Sequence, residues 1–338
     1  MTKFLEKNIN KIIGIIIILL IGTFYFINLF NIKEYNTYFF YMDTDISIRI
    51  FTNNKNKAEK ALKKAEDIYK DYHMLTDKYN KYDGIININY INTNNSNDKY
   101  LKIDKRLYEM LEYGIKYYDI TNGLININIG NITDVWKKYR DNKSGIPTYD
   151  ELKNSGEIDI NQIVLLDKYR MLNNKPNIDL GAISKGYTTE IVGNYLESIG
   201  INKYIINAGG NVKVGEHYKG EKYKIGVQSP IDISKTIDIV KKNNTSVVMS
   251  GDYIRNYEYD GVLYSHIIDP NTLFPANNIK SVCVVTENSG LADVLSTALF
   301  LMDIDDGKKF ISDFDDVEVL WYTNDNKIIK TDGFNYNE

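Results

Sequence analysis

The chain has 338 residues, of which 41 are Lys or Arg and 45 are Asp or Glu, and its formal net charge of −4 carries no electrostatic footprint for nucleic acid. At 43% hydrophobic and 25% charged it has the composition of a globular protein, with enough chain for one large core or two modest ones. Cys283 is the sole cysteine, which excludes an internal disulfide and any cysteine cluster for zinc or iron–sulfur chemistry.

Lys3, Lys7 and Lys11 precede about nineteen uncharged, mostly apolar residues at 12–30, a length that spans a bilayer as one helix. No small-x-small cleavage site follows, so an uncleaved anchor is expected over residues 1–33. The positive-inside rule then leaves the N-terminus in the cytoplasm and the folded domain, residues 34–338, outside it. Residues 38–51 read as a strand passing through Met42-Asp43-Thr44. From Lys55 to Tyr72 the apolar spacing of Ala58, Ala61, Leu62, Ala65, Ile68, Tyr69 and Tyr72 predicts an amphipathic helix, with His73 at its end in a capping or solvent-facing role. The Asn-rich stretch 79–97 reads as a loop with short strand pieces. Asp104 caps a second helix that ends before Thr121-Asn122-Gly123. Alternation in Gly123-Leu-Ile-Asn-Ile-Asn-Ile-Gly130 predicts a strand feeding a turn and a short helix, and Thr148 with Glu151 fits a capping box.

Asn177-Ile-Asp-Leu-Gly-Ala-Ile-Ser-Lys-Gly-Tyr187 reads as a loop opening a helix, whose free N–H groups and Lys185 would attract a phosphate. Gly200 stops that helix. Tyr204-Ile205-Ile206 is a strand running into Asn207-Ala208-Gly209-Gly210, where paired glycines permit close backbone approach to a ligand. Residues 223–228 form a strand, followed by a polar linker to Ser246. Asp260-Gly261 marks a hairpin whose second arm delivers Ser265-His266 ahead of the turn at Asp269-Pro270. Residues 281–286 form a strand, and Ser289 caps a helix to about Met302. On it Asp293 and Thr297 lie one turn apart, two oxygen donors suited either to magnesium or to ordinary helix-end bonding. A final hairpin turns at Asn324-Asp325-Asn326. The fold class expected is α+β, mixed β-sheets flanked by helices.

The order of these signals resembles the FAD:protein FMN transferases, or ApbE-like flavin transferases, over residues 39–310. Five motifs carry the resemblance: Asp179 to Tyr187, Asn207 to Asn211, Ser250-Gly251-Asp252-Tyr253, His266 to Pro270, and Leu291-Ala292-Asp293 with Thr297. The resemblance implies that Asp179, Gly181, Ala182 and Lys185 line the FAD diphosphate, and that Asn207, Gly209 and Gly210 pack on the nucleotide. Tyr79 would lie near the isoalloxazine. It implies magnesium held by the Ala182 carbonyl, Asp293 and Thr297, and proton transfer by His266, with Asp269 or Asp252 orienting or replacing it. The implied reaction moves the FMN half of FAD, as substrate, onto a Ser or Thr of an exported or membrane redox protein and releases AMP. The implied partners are flavoprotein subunits of membrane redox complexes. An FAD pyrophosphatase and a non-catalytic FAD-binding protein are the competing readings. Departures from the family pattern stand at Ile125-Asn126-Ile127-Asn128, where it usually has Phe-Asp-Pro-Thr, and at Asp43 and Leu273, where it often has Gly.

Overall fold

The computed structural model describes residues 31–335 apart from 254, together with Lys11, Ile13, Gly14, 16–20 and 22. Strand β1 (Lys33–Tyr41) turns into β2 (Thr44–Thr52) through Met42 and Asp43, both at φ 54°. The single strand expected at 38–51 is therefore two antiparallel strands, paired from Lys33↔Thr52 to Tyr41↔Thr44. The turn carries no glycine signal, because it is built from left-handed residues that are not glycine.

Helix α1 (Lys55–Thr76), with Asn54 capping the Lys57 N–H, buries Ala58, Ala61, Leu62, Ala65, Tyr69 and Tyr72 as the spacing predicts. Within 79–97 the structure has a helix, α2 (Ile88–Thr93), where a loop with strand pieces is expected. Its nucleus is Asn87, which accepts from the Tyr90 N–H, and its drive is the burial of Ile88 and Ile91. Strand β3 (Tyr100–Lys102) and the Asp104-capped helix α3 (Lys105–Ile120) follow.

No strand forms at 123–129. Ile125, Ile127 and Ile129 are buried, but so are Asn126 and Asn128, so the alternation does not separate a wet face from a dry one. Asn126 Nδ2 donates to the Ile158 carbonyl at 2.8 Å and Asn128 Nδ2 to the Asp159 carbonyl at 2.8 Å, satisfying amides that would otherwise be costly to bury. This segment leads into helix α4 (Gly130–Asn142) and the short α5 (Tyr149–Asn154). Thr148 caps α5 by accepting from the Glu151 N–H, but the Glu151 carboxylate accepts from the Tyr139 hydroxyl instead of closing the box.

After the small strands β4 (Leu165–Leu166) and β5 (Arg170–Leu172) comes helix α6 (Ser184–Ser198). Strands β6 (Tyr204–Ala208) and β7 (Asn211–Val214) join through Gly209 and Gly210, at φ 60° and 91°. The polar linker expected after β8 (Tyr223–Gln228) contains strand β9 (Thr236–Lys242), which pairs back on β8. Strand β10 (Thr245–Gly251) precedes the hairpin of β11 (Tyr257–Tyr259) and β12 (Val262–Tyr264), which turns at Asp260 and Gly261 as expected. Strand β13 (Ile279–Thr286) leads to helix α7 (Ser289–Leu301), then to helix α8 (Ile304–Ile311), β14 (Glu318–Thr323) and β15 (Ile328–Lys330). The cap of α7 is Asn288, not Ser289.

Eight of these strands form one antiparallel sheet in the order β1-β2-β6-β7-β10-β13-β14-β15. Alternation along β13 assigns its faces: Val282 and Val284 pack with Leu295, Leu299 and Phe300 of α7, while Cys283 and Val285 pack with Ile225, Val227 and Val240 of the β8–β9 hairpin. Helices α1 and α6 cover β2 and β6 through Ile46, Ile48, Ile50 and Ile206. The fold is α+β, as expected. Among the described residues no helix is long and apolar enough to cross a membrane, and the anchor expected at 12–30 lies largely outside those residues.

Candidate active site

A cavity of about 430 Å³ opens where the Met42-Asp43 turn, the chain after α1, the 124–136 segment, the start of α6, the end of β10 and the face of α7 converge. Of the residues singled out from sequence, Tyr79, Asp179, Gly181, Ala182, Lys185, Gly209, His266, Asp293 and Thr297 line it. Asn207, Gly210, Asp252 and Asp269 do not. Asn207 Oδ1 accepts from the Gly210 N–H, which shapes the β6–β7 turn, and Asp269 Oδ1 accepts from the Asn271 N–H at 2.8 Å. Asp252 is half-buried off the cavity, its N–H donating to the Lys280 carbonyl. The structure thus brings nine expected residues together and assigns four to local turns or neighbouring backbone.

Helix α6 enters with no side-chain cap. The N–H of Gly186 in its first turn donates to Asp293 Oδ2 at 2.7 Å, so the positive end of α6 faces a carboxylate of α7. Only glycine permits this approach, because a Cβ at 186 would fall 2.5 Å from the Ser289 carbonyl oxygen. Burial raises the Asp293 carboxyl, and Lys185, the Gly186 N–H and the Asn211 side chain only partly oppose it. Asp293 is buried and Thr297 half-buried on one face of α7, with Ala182 on the same cavity. A carboxylate, a hydroxyl and a carbonyl are hard oxygen donors of the kind magnesium accepts while keeping water or phosphate oxygens in its shell. The residues present fit that ion.

Asp179 is bound from several sides: Oδ1 accepts from the Gly181 N–H at 2.9 Å, and Oδ2 from the Thr133 hydroxyl at 2.7 Å and from Lys78 Nζ at 3.1 Å. Burial alone would raise this carboxyl, but Lys78, the Gly181 N–H and Thr133 outweigh it and hold the group below the usual carboxylate range. Lys185 is less engaged, its Nζ reaching the Gly181 carbonyl at 3.4 Å. His266 is pushed down to about 3 by burial first, then by the cations Lys185, Arg255 and Arg140, and its buried Nδ1 has no hydrogen-bond partner. It is a neutral imidazole at physiological pH. Tyr79 is half exposed, with Lys78 and Lys137 Nζ each 5.6 Å from its ring centroid.

Sequence reading missed Lys78, Thr133, Arg140, Arg255 and His73, all on the cavity wall. His73 is neither a cap nor solvent-facing: Nδ1 accepts from the Met42 N–H at 3.3 Å, and Nε2 lies 3.3 Å from the Tyr82 hydroxyl. Arg255 donates to the Asp43 carbonyl at 2.7 Å. No short-range pattern marks these residues: Lys78 reaches Asp179, His73 the Met42 N–H and Arg255 the Asp43 carbonyl across long stretches of chain.

A family profile described as the ApbE family matches residues 42–321. The chain belongs to the ApbE family. The FAD:protein FMN transferase of Vibrio cholerae serotype O1 is 35% identical over 158 residues, covering 46% of this chain and 45% of that protein. The protein of the same name from Klebsiella pneumoniae strain 342 is 36% identical over 154 residues, 45% of this chain and 47% of that one. The chain thus spans about half the length of the curated relatives it matches. An ApbE protein crystal structure from Thermotoga maritima superposes with a TM-score of 0.79 at 25% identity, over 90% of this chain and 99% of that one. The flavin transferase ApbE from Vibrio cholerae gives 0.75 at 22% identity, with the same coverage, and supports the ApbE fold.

Proposed function

We propose that this chain transfers the FMN half of FAD to a Ser or Thr hydroxyl of an exported or membrane redox protein and releases AMP. The observation that carries this reading is the convergence of Asp293, Thr297, Ala182, Lys185 and His266 on one cavity. The relatives named FAD:protein FMN transferase support the same substrate.

Lys185 and the start of α6 pair with the diphosphate, and Tyr79 offers an aromatic face to the isoalloxazine. Magnesium, held by the Asp293 carboxylate, the Thr297 hydroxyl and the Ala182 carbonyl, supplies when bound the charge that neutralises the diphosphate and stabilises the departing phosphate of AMP. In the transfer, the acceptor oxygen forms a bond to the phosphorus of the FMN half, the anhydride P–O bond to AMP breaks, and the hydroxyl proton passes to a base. His266 suits that base because it is neutral. A diphosphate beside Lys185 would offset part of the cationic depression, while burial, the larger cause, remains. Asp269 and Asp252, off the cavity, drop out of this role.

The apolar run at 12–30 supports membrane anchoring with the folded domain outside the cytoplasm, where subunits of membrane redox complexes carrying a Ser/Thr acceptor motif are the natural partners. The test uses the full chain in detergent with FAD, magnesium and an acceptor domain bearing such a motif. Intact mass of the acceptor should rise by one FMN while AMP appears in equal amount. AMP and free FMN beside unmodified acceptor would replace transfer by hydrolysis. FAD that stays bound and unchanged would make the chain a flavin-binding protein.

A further inference from the structure

Lys78 is almost fully buried, its side chain only 7% exposed, yet it borders the cavity. Four acceptors surround its ammonium group: Asp134 Oδ1 at 2.9 Å, the Thr133 hydroxyl at 3.0 Å, Asp179 Oδ2 at 3.1 Å and the Gly130 carbonyl at 3.2 Å. An ammonium has three N–H groups, so every donor is engaged within the protein. Lys185, with one long contact, is built to receive an anion; Lys78 is built to hold one already present.

The chain around Lys78 is fixed as firmly as its ammonium group. Asp77 Oδ1 accepts from the N–H groups of Tyr79 at 2.7 Å and Asn80 at 3.0 Å, and Asn89 Nδ2 donates to the Lys78 carbonyl at 2.9 Å. This turn directs Lys78 inward and leaves the next residue, Tyr79, half exposed at the cavity. Three pieces of chain thus meet on one cation: the end of α1, the start of α4 through Gly130, Thr133 and Asp134, and the Asp179 turn that opens into α6.

We infer that Lys78 is a positioning residue for FAD, which locks the turn from Asp179 to Ala182 and the start of α4 in the arrangement that receives the diphosphate. The inference rests on the flavin-transferase reading of the cavity. Lys78 does not touch the substrate. Its removal leaves Asp179 held only by the Gly181 N–H and the Thr133 hydroxyl, with an uncompensated negative charge beside the space where the diphosphate binds.

The experiment titrates FAD into full-length wild type, Lys78→Met, Asp179→Asn and the double variant Lys78→Met/Asp179→Asn. Binding is followed by flavin fluorescence well below each unfolding midpoint and across a range of salt. In Lys78→Met the FAD dissociation constant should rise at least about tenfold, the scale on which a misplaced site loses productive geometry. At saturating FAD, kcat should stay within about threefold of wild type, because the reacting atoms are not contacted. The double variant removes the unpaired charge, so it should fold even where Lys78→Met does not. It should recover part of the affinity lost by Lys78→Met, and its dependence of affinity on salt should match wild type, whereas that of Lys78→Met should be flatter because salt screens the uncompensated carboxylate. Unchanged FAD affinity in folded Lys78→Met would overturn the inference by making Lys78 a purely structural group. So would a salt dependence that stays flattened in the double variant, which would make Lys78 a direct phosphate ligand. Failure of wild type itself to bind FAD would remove the underlying flavin reading instead.

Discussion

Gly186→Ala tests the closest contact on which the site depends. The added methyl would sit 2.5 Å from the Ser289 carbonyl oxygen and closer still to Asp293 Cβ, against an ordinary contact distance that begins at 3.4 Å. Helices α6 and α7 must separate by about 1 Å to admit it. Ser289 cannot simply yield, because its N–H donates to Glu190 Oε2 at 2.7 Å and its hydroxyl to Asn211 Oδ1 at 2.7 Å. Overpacking of this kind costs about 1–3 kcal/mol. Weakening the bond from the Gly186 N–H to a buried carboxylate adds about 1 kcal/mol, while alanine's better helix propensity returns about 1 kcal/mol. The expected net loss is about 2 kcal/mol, read as a lower urea midpoint at constant slope. The proposed transferase activity should fall at least about tenfold, because Asp293 moves with α7. Gly220→Ala, at φ +78° with nothing within 4 Å of the new methyl, is the control, costing only the left-handed conformation, about 1–2 kcal/mol. A Gly186→Ala protein as stable as wild type with intact activity would refute the argument that these helices are held at contact.

Asp293→Asn should lower metal-dependent activity by about 100-fold or more, the several kcal/mol that a bound cation contributes to charge stabilisation. The same change should raise the metal-free melting temperature. Burial lifts the folded pKa of Asp293 above its unfolded value, so the charged form costs stability as pH rises through that folded pKa, and an amide avoids the cost. A melting temperature unchanged or lower without metal would contradict this. His266, pushed down to about 3, has the opposite sense: below pH 6.5 the unfolded chain binds a proton that the folded chain refuses. Between pH 7.5 and 5 wild type should therefore lose about 2 kcal/mol that His266→Gln retains, as measured by denaturant titration at each pH. Asp43→Gly relieves a φ of 54° at an exposed turn and should be neutral or stabilising by up to about 1 kcal/mol. Leu273→Gly relieves a φ of 65° but gives up a buried side chain worth about 2 kcal/mol, so its melting temperature should fall.

The parts of this molecule legible in its sequence are those whose signal is local. The spacing in α1, the Asp-Gly turn between β11 and β12, and the Asp293–Thr297 step on α7 each depend on residues within one or two turns of chain. The nine cavity residues found from sequence belong to such motifs or stand beside them. Lys78 shows the opposite case: its four acceptors lie 52 to 101 positions away, and nothing in Thr76-Asp77-Lys78-Tyr79 marks it as buried. The Met42-Asp43 turn was hidden for a different reason, since both residues adopt a backbone conformation that sequence reading assigns first to glycine.

The segment from Ile125 to Asn128 departs from the rule that period-two alternation means one dry face and one wet one. Here the polar members are buried and their bonds run along the backbone of other segments. Asn126 Oδ1 accepts from the Asn128 N–H, Asn128 Oδ1 accepts from the Asn177 N–H, and their amides reach the carbonyls of Ile158 and Asp159. These two asparagines fasten the 158–162 segment and Asn177 beside the cavity, which Asn126 lines. An amide carries both a donor and an acceptor, so each asparagine can satisfy an N–H and a carbonyl at once, which a carboxylate cannot do. The two neutral amides therefore keep the scaffold bonded without placing a charge beside the cavity. The Asp179 turn, two residues beyond Asn177, inherits its position from that scaffold on one side and from Lys78 on the other.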